Sequence, residues 1–400
     1  MTDLKWIIRI FRFIIAGTLR NKTAPITDVK VLLGKSSNRS RVRQLIDPLA
    51  LSLDTSAIVF SNAKSNDIFD YIQGYNLYEG IKVLIFLTKN VNVFNLPKEL
   101  KGFYSRVEMF YLSIIQINSF LRWSFLFQVN RIEASIVDFD RDFLTAPMQL
   151  AGNLHGLNTV TLVHGVLNPP YAYIPVLSQE IWCWGPYQSK QLRSYGISSN
   201  RIRVVGNPMV RSCRNTNKMN DAVIAKKLVV GVAINPMEKS FNISLIQRIV
   251  SVLSSEVELL IKLHPAMSKI DFEKYNWCCR IYDSFEIQND DFFNLIDLLV
   301  VGNSGIAYEA VLSDIPVWVH RCLPAREGND GVMIHDMGAP DISDLDILRN
   351  EFSMYCENPD YLRFLLARQK SFVLSELYGS IGSDSTRITL DEIRRISSKK

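Results

Sequence analysis

The sequence predicts an α/β protein built as two doubly wound domains that face one cleft. Three observations carry this. Short apolar runs of strand length alternate with amphipathic helical stretches through both halves of the chain. The chain has 400 residues, 48% hydrophobic and 21% charged, which is enough for two packed cores and too apolar for a disordered chain. A polar stretch with little strand signal, residues 211–227, separates the halves as a linker would. The resulting division is an amphipathic basic helix over 1–22, an N-terminal α/β domain over 23–210, the linker, a C-terminal α/β domain over 228–345, and a helical tail over 346–400.

In residues 1–22, Lys5, Arg9, Arg12 and Arg20 fall near one side of a helix, and Ile7, Ile8, Phe11, Ile14 and Ile15 mostly on the other. Arginines interrupt the apolar run, so it is neither a secretory signal nor a membrane span. Two readings stay open: a helix lying in a membrane surface, or a helix packed on the domain. Strands follow at Asp28–Gly34, Ala57–Phe60 and Ile81–Leu87, with a helix near Arg41–Leu53. Residues 104–127 form a long aromatic-rich segment, broken by Glu108, Gln116, Asn118 and Arg122, and read as a buried helix.

The strands of the next stretch each end in a turn carrying Asp, His or Gly. Glu133–Asp138 ends in Asp138-Phe-Asp140, and Asn158–His164 ends in His164-Gly165. Glu180–Gly185 is followed by Pro186 at the first position of a helix, and Arg201–Val205 runs into Gly206-Asn-Pro208. In parallel α/β sheets ligands sit outside these carboxyl ends. The second domain starts with Leu228–Asn235, then a helix over about Leu245–Ser254. Glu258–Leu263 runs into His264-Pro265, and Arg280–Tyr282 is short. A helix over Phe292–Asp297 precedes the strand Leu298–Val301. The turn Gly302-Asn-Ser304-Gly305 leads into a helix carrying Glu309, with Ser304 as its N-cap, and Ile315–Val319 is another strand. The tail is helical with a Gly/Ser break at Gly379–Ser383.

The net charge of +5 is mild, and no basic block interleaves with aromatics as in a nucleic-acid binder, so no nucleic-acid partner is expected. Six scattered cysteines without a C-x-x-C pair read as thiols in a reducing compartment rather than a disulfide scaffold or zinc site. No G-x-G-x-x-G, P-loop, H-E-x-x-H or G-x-S-x-G occurs, which removes dinucleotide oxidoreductases, P-loop enzymes, zincins and serine hydrolases.

Of five histidines, His164 and His264 sit at strand ends, one in each half. Lys262 and His264 share a face by the two-residue period and could clamp a phosphate. His164 sits where a general base could be held, with Gly165 allowing close approach, and Asp138 and Asp140 are competing bases. His155, His320 and His335 have no motif around them and read as structural or surface residues.

The ordered set Val163-His164-Gly165, Trp184-Gly185, Val204-Val-Gly206-Asn-Pro208, Ile261-Lys-Leu-His264-Pro265 and Gly302-Asn-Ser304-Gly with Glu309-Ala310 resembles the GT-B-type glycosyltransferases of bacterial surface-polysaccharide assembly. It is similar to the branch holding capsule-polysaccharide transferases, bacterial sialyltransferases and teichoic-acid glycerophosphotransferases, over about residues 130–320. The resemblance implies two Rossmann-like domains and transfer of a sugar from a CMP-, UDP- or GDP-linked donor to a surface polysaccharide or lipid-linked glycan. It puts the base or acceptor-side role on His164, donor-phosphate contacts on His264 and Ser304, and a ribose or sugar hydroxyl on Glu309. Asn235, Lys262 and Gly305 stand with them on the donor side. The acidic-acidic-Gly motif of the sialyltransferases is missing, and Asp138-Phe-Asp140 is only a loose substitute.

No bound cofactor and no metal are expected, since a helix N-terminus, a His and a Lys can absorb the charge of the leaving phosphate. The basic N-terminus implies a cytoplasmic enzyme, peripheral at the inner membrane. Three rivals share the scaffold: a polyol-phosphate transferase, a sugar-nucleotide 2-epimerase, and a catalytically silent subunit that binds glycan or scaffolds a partner. Against the epimerase stand the membrane-seeking N-terminus and the aromatic segment.

Overall fold

A computed structural model describes residues 29–36, 40–61, 116–165, 167, 173–210, 227–320 and 336–398, with gaps at 118, 122, 129, 143, 236–238, 254–256, 266, 276, 278, 303 and 359. The basic N-terminal helix, the strand at 81–87, the start of the aromatic segment, residues 211–226 of the linker, Asn303 and His335 lie outside the described residues.

The first half is a parallel sheet in the order β2-β1-β3-β4-β5-β6. Its strands are β1 (Val31–Lys35), β2 (Ala57–Ser61), β3 (Ala134–Val137), β4 (Asn158–Leu162), β5 (Glu180–Cys183) and β6 (Ile202–Val204). Helices α1 (Ser40–Leu53), α2 (Thr145–Leu154) and α3 (Pro186–Ser194) connect them. Side chains alternate across a strand, so a sheet covered on both faces needs apolar residues at nearly every position. Val31, Leu33 and Ile136 pack one face against Val42, Leu45, Ile46 and Leu49 of α1. Leu32 and Val137 pack the other against Met148 and Ala151 of α2. Trp123, Leu126 and Phe127, from the aromatic segment, join that second layer. Chain order reverses between β1 and β3, which makes their carboxyl ends the switch point of this sheet.

The second half repeats the logic in the order β11-β10-β7-β8-β9, all parallel. The strands are β7 (Leu228–Ala233), β8 (Val257–Lys262), β9 (Cys279–Tyr282), β10 (Leu298–Val301) and β11 (Val317–Val319). Between them lie α4 (Lys239–Leu253), α5 (Ile270–Glu273), α6 (Asn289–Leu295) and α7 (Ile306–Leu312). The switch point is between β7 and β10, paired from Leu298↔Val230 to Val301↔Ala233. Helix α4 starts earlier than its apolar periodicity indicates. Its first turn is anchored by Asn242, a buried side chain that donates to the Asn235 carbonyl at 3.1 Å. The N-cap expected at Ser304 is not formed: Gly305 is the last residue before α7, and no side-chain cap bond is made there.

The tail divides between the halves. Helices α8 (Leu345–Glu357) and α9 (Tyr361–Phe372) stay with the second sheet. There the Gln369 amide, on α9, accepts from Val317 N at 2.9 Å and donates to Val317 O at 2.7 Å. A π-helical turn, Val373–Leu377, then leads back to α10 (Gly382–Ser397), which packs with α1 on the first sheet. The Asn158 side chain donates to the Ile396 carbonyl at 2.7 Å, and Arg395 pairs with Glu180 at 3.2 Å.

The seat of this crossing is made by two glycines. A Cβ on Gly185 would stand 2.3 Å from the Leu377 carbonyl oxygen. A Cβ on Gly206 would stand 2.6 Å from the Ser380 carbonyl oxygen, and Gly206 also has φ +84°. One apolar cluster runs through both halves, from Val163, Trp184 and Leu192 to Leu299, Tyr308 and Val311, with Val373 and Leu377 among them. The Trp184 and Tyr378 rings lie 5.5 Å apart at this seam.

Candidate functional site

Two strand-end clusters carry the polar groups singled out by the sequence. On the first sheet β3 delivers Asp138 and β4 delivers His164, neighbours because the strands pair in register from Ala134↔Asn158. Asp138 is fully buried and accepts from Ser36 N at 2.6 Å and from Ser36 Oγ at 2.5 Å. Burial pushes its carboxyl pKa up, against the opposing pull of His164 and the Ser36 bonds.

His164 Nδ1 lies 2.9 Å from the main-chain carbonyl oxygen of Asp138 and 3.6 Å from its Oδ2. A carbonyl oxygen can only accept, so Nδ1 carries a proton, which in the neutral ring leaves the lone pair on Nε2. The His164 side chain is 30% exposed while that of Asp138 is at 0%, so a ligand can meet the imidazole and not the carboxylate.

Asp140 stands two residues on and does something else. Its Oδ2 accepts from Leu177 N at 2.7 Å and Ser178 N at 3.2 Å, fixing the loop before β5. Burial raises its pKa, with those amide bonds opposing. The pair Asp138 and Asp140 therefore serve separate partners.

On the second sheet β7 ends at Ala233-Ile-Asn235, β8 at Lys262-Leu-His264, and β10 at Val301-Gly302 ahead of Ser304-Gly305. Asn235, His264, Ser304 and Gly305 are all partly exposed at this carboxyl edge. Their carbonyls are used locally: Asn235 O accepts from Asn242, His264 O from Met267 N at 2.9 Å, and Ser304 O from Ala307 N at 3.1 Å. Glu309, on α7, accepts from the Asn289 side chain at 2.7 Å.

Lys262 departs from the two-residue reading that set it beside His264. Its stem turns inward, the residue is 7% exposed, and the ammonium donates to the Ile287 carbonyl. It also lies 5.9 Å from the centroid of the Phe292 ring, and burial lowers its pKa.

The two switch points differ electrostatically. In the first, a main-chain amide at the end of β1 is already filled by the Asp138 carboxylate. In the second, the residues at the ends of β7 and β10 are Ala233, Ile234 and Asn235, and Val301 to Gly305, none of them acidic. At the first, the Ser36 amide that could meet an anion is taken by Asp138; at the second, no acidic side chain stands at the ends of β7 and β10.

Three contributors were not singled out in the sequence. Ser36 follows β1 directly, in a Ser/Arg-rich turn that gave no reason to choose it. Tyr173 lies in a segment without strand or helix periodicity, yet its hydroxyl accepts from His164 N at 3.3 Å and sits 3.2 Å from His164 Nδ1. Asn289 opens α6 and gave no signal beyond its place at a helix start.

No protein-family model matches the chain, and no curated protein matches it. Solved structures do. A glycosyltransferase from Rickettsia africae matches with a TM-score of 0.56 at 12% identity, over 93% of this chain and 100% of that one. UDP-GlcNAc 2-epimerase from Neisseria meningitidis, bound to UDP-GlcNAc, matches with a TM-score of 0.52 at 17% identity, over 92% of this chain and 100% of that one. The wall teichoic acid polymerase TagF matches with a TM-score of 0.51 at 10% identity, over 100% of this chain and 98% of that one. Identities this low speak to architecture alone. The two parallel sheets, each with its own switch point, and these whole-chain matches make this an α/β protein of two Rossmann-like domains with the GT-B fold.

Proposed function

We propose that the chain is a glycosyltransferase that moves a sugar from a nucleotide-activated donor to a hydroxyl of a surface polysaccharide or lipid-linked glycan. The observation that carries this reading is the state of His164. Its Nδ1 is committed to the Asp138 carbonyl at 2.9 Å, and its ring is partly exposed at a sheet edge. Such an imidazole is a general base at Nε2.

In this reading the acceptor oxygen attacks the anomeric carbon, and its proton passes to His164 Nε2. The bond from that carbon to the donor phosphate oxygen breaks, and the electron pair leaves with the nucleotide. The Asp138 carboxylate, 3.6 Å from Nδ1, stabilises the imidazolium that forms. The donor belongs on the second sheet, where the ends of β7 and β10 carry no carboxylate. His264, Ser304, Gly305 and Asn235 are proposed to face its phosphate, and Glu309 a ribose or sugar hydroxyl. Lys262 is left out of this set because its ammonium is bonded to Ile287 inside the fold.

Among the described residues no helix is long and apolar enough to cross a membrane. Residence at the inner-membrane surface is proposed on the alternation of basic and apolar residues in 1–22 alone.

The test is a thermal-shift panel of CMP, CDP, UDP, GDP and dTDP, followed by turnover of the matching sugar nucleotide with and without glycan. A nucleotide that binds only the folded chain raises its apparent stability by about 2.7 kcal/mol at a hundred times its Kd. Transfer that needs the glycan is the expected result. Conversion of the sugar nucleotide without any acceptor would make the chain an epimerase, and no shift with any nucleotide would make it a silent subunit.

A further inference from the structure

Tyr173 is nine residues past His164 and outside every regular element, yet it is 4% exposed and its hydroxyl is directed at one place. That oxygen accepts from the main-chain N–H of His164 at 3.3 Å and lies 3.2 Å from His164 Nδ1. Its ring meets Phe139 edge-on, with centroids 6.0 Å apart at 88°, and Phe139 meets the imidazole in the same way at 6.3 Å.

His164 is therefore enclosed on its Nδ1 side by three groups from two neighbouring segments: the Asp138 carbonyl, the Asp138 carboxylate and the Tyr173 hydroxyl. The titratable groups facing it are Asp138 and Tyr173, and the charges of Asp140 and Asp142 act on the tyrosine and the aspartate in turn. The hydroxyl touches both the backbone and the ring of one residue, so it couples the position of the turn to the orientation of the imidazole. A tyrosine placed only to fill space needs neither contact.

We propose that Tyr173 is a positioning residue for His164: its hydroxyl pins the His164-Gly165 turn and closes the Nδ1 edge, fixing the imidazole with Nε2 directed outward. This rests on the reading of His164 as the base, but the geometry can be tested apart from it. Tyr173→Phe removes the hydroxyl and keeps the ring against Phe139.

The experiment is a long-range 1H–15N spectrum of the histidine-labelled full chain, with His164→Gln to assign the signal. The wild type is expected to show His164 protonated at Nδ1, with a slowly exchanging proton. In Tyr173→Phe that proton should exchange roughly tenfold faster or disappear, as the loss of one buried hydrogen bond of about 1.4 kcal/mol allows. A wild-type signal from the Nε2–H tautomer overturns the proposal, and so does unchanged exchange in the variant. If Tyr173→Phe does not fold, Phe139→Leu decides. It loosens the ring packing and keeps the hydroxyl, so a retained, slowly exchanging Nδ1 proton supports the proposal and a lost one overturns it.

Activity separates the two claims. With the geometry in place, a chain that transfers no sugar defeats the base assignment and leaves the positioning intact. In an active chain, Tyr173→Phe should lower kcat roughly tenfold with nucleotide Kd unchanged, whereas a general structural loss lowers kcat and raises Kd together.

Discussion

Gly206→Ala tests the crossing of the tail onto the first sheet. Two costs add. Alanine at φ +84° is in the left-handed region, which costs about 1 kcal/mol. The new Cβ would also lie 2.0 Å from Ser380 Oγ and 2.6 Å from the Ser380 carbonyl oxygen, so the turn before α10 must move. That movement breaks the bond from Asn207 N to Ser380 O at 2.9 Å and the bond from Ser385 Oγ to Val205 O at 2.8 Å. Each is worth about 1 kcal/mol, which brings the total to about 3 kcal/mol.

Gly156→Ala is the control. Its φ is +71°, but a Cβ there meets nothing within 4 Å, so it carries the conformational cost alone. The assay is urea unfolding of both variants beside the wild type, with trypsin cleavage at Arg387 and Arg394 of α10 followed in native buffer. Gly206→Ala should be less stable than Gly156→Ala by about 2 kcal/mol, and its α10 should be cut first. Equal stability of the two variants, with α10 equally protected, would show that Gly206 is not the seat of the crossing.

Further perturbations follow from single side chains. His320 Nε2 lies 2.7 Å from the Arg248 guanidinium, and burial followed by that charge takes its pKa from 6.5 to about 4. The depressed value means the unfolded chain takes up a proton first. Stability is full above pH 6.5 and falls by about 3 kcal/mol as pH drops to about 4, in urea titrations that His320→Gln should flatten. Asp341 and Arg248 are the charged groups facing this histidine. Lys262→Met should leave nucleotide affinity within about threefold, since the ammonium is bonded to Ile287; a hundredfold loss by calorimetry would restore it as a phosphate clamp. Asn289→Ala removes the bond that holds Glu309 at 2.7 Å and should weaken donor binding by about 1 kcal/mol with kcat for bound donor little changed.

The frame of the molecule was legible because its strands are short apolar runs closed by glycine or a polar turn. Leu298–Val301, between Asp297 and Gly302, is the plainest case, and β10 has those limits. Pro186 likewise marked the start of α3. The start of α4 was not legible, because Lys239 to Asn242 carry no apolar period and are held by one buried amide on Asn235.

At the site, strand ends could be read and side-chain directions could not. The alternation of a strand gives the face of Lys262, not whether its four-carbon stem reaches outward or folds back to Ile287. The contact between Asp138 and His164 follows from pairing of β3 with β4, which no local pattern specifies. Ser36, from the turn after β1 and 102 residues from Asp138 in sequence, and Tyr173, from a loop, close on the Asp138–His164 pair, a closure that only the folded chain reveals. The Trp184-Gly185 and Gly206-Asn motifs were marks of resemblance in the sequence, and in the structure their glycines are the seat of the returning tail.

In the proposed transferase the two sheets divide the labour, with the donor phosphate on the second and the base on the first. The direct measurement is calorimetric titration of the stabilising nucleotide into His164→Ala and His264→Ala, paired with single-turnover transfer to glycan. His264→Ala should weaken nucleotide binding by about tenfold or more, as loss of a charge-assisted contact should. His164→Ala should bind nucleotide as the wild type does and lose roughly a hundredfold or more in the transfer step. Weakened nucleotide binding in His164→Ala, with binding and transfer untouched in His264→Ala, would contradict it.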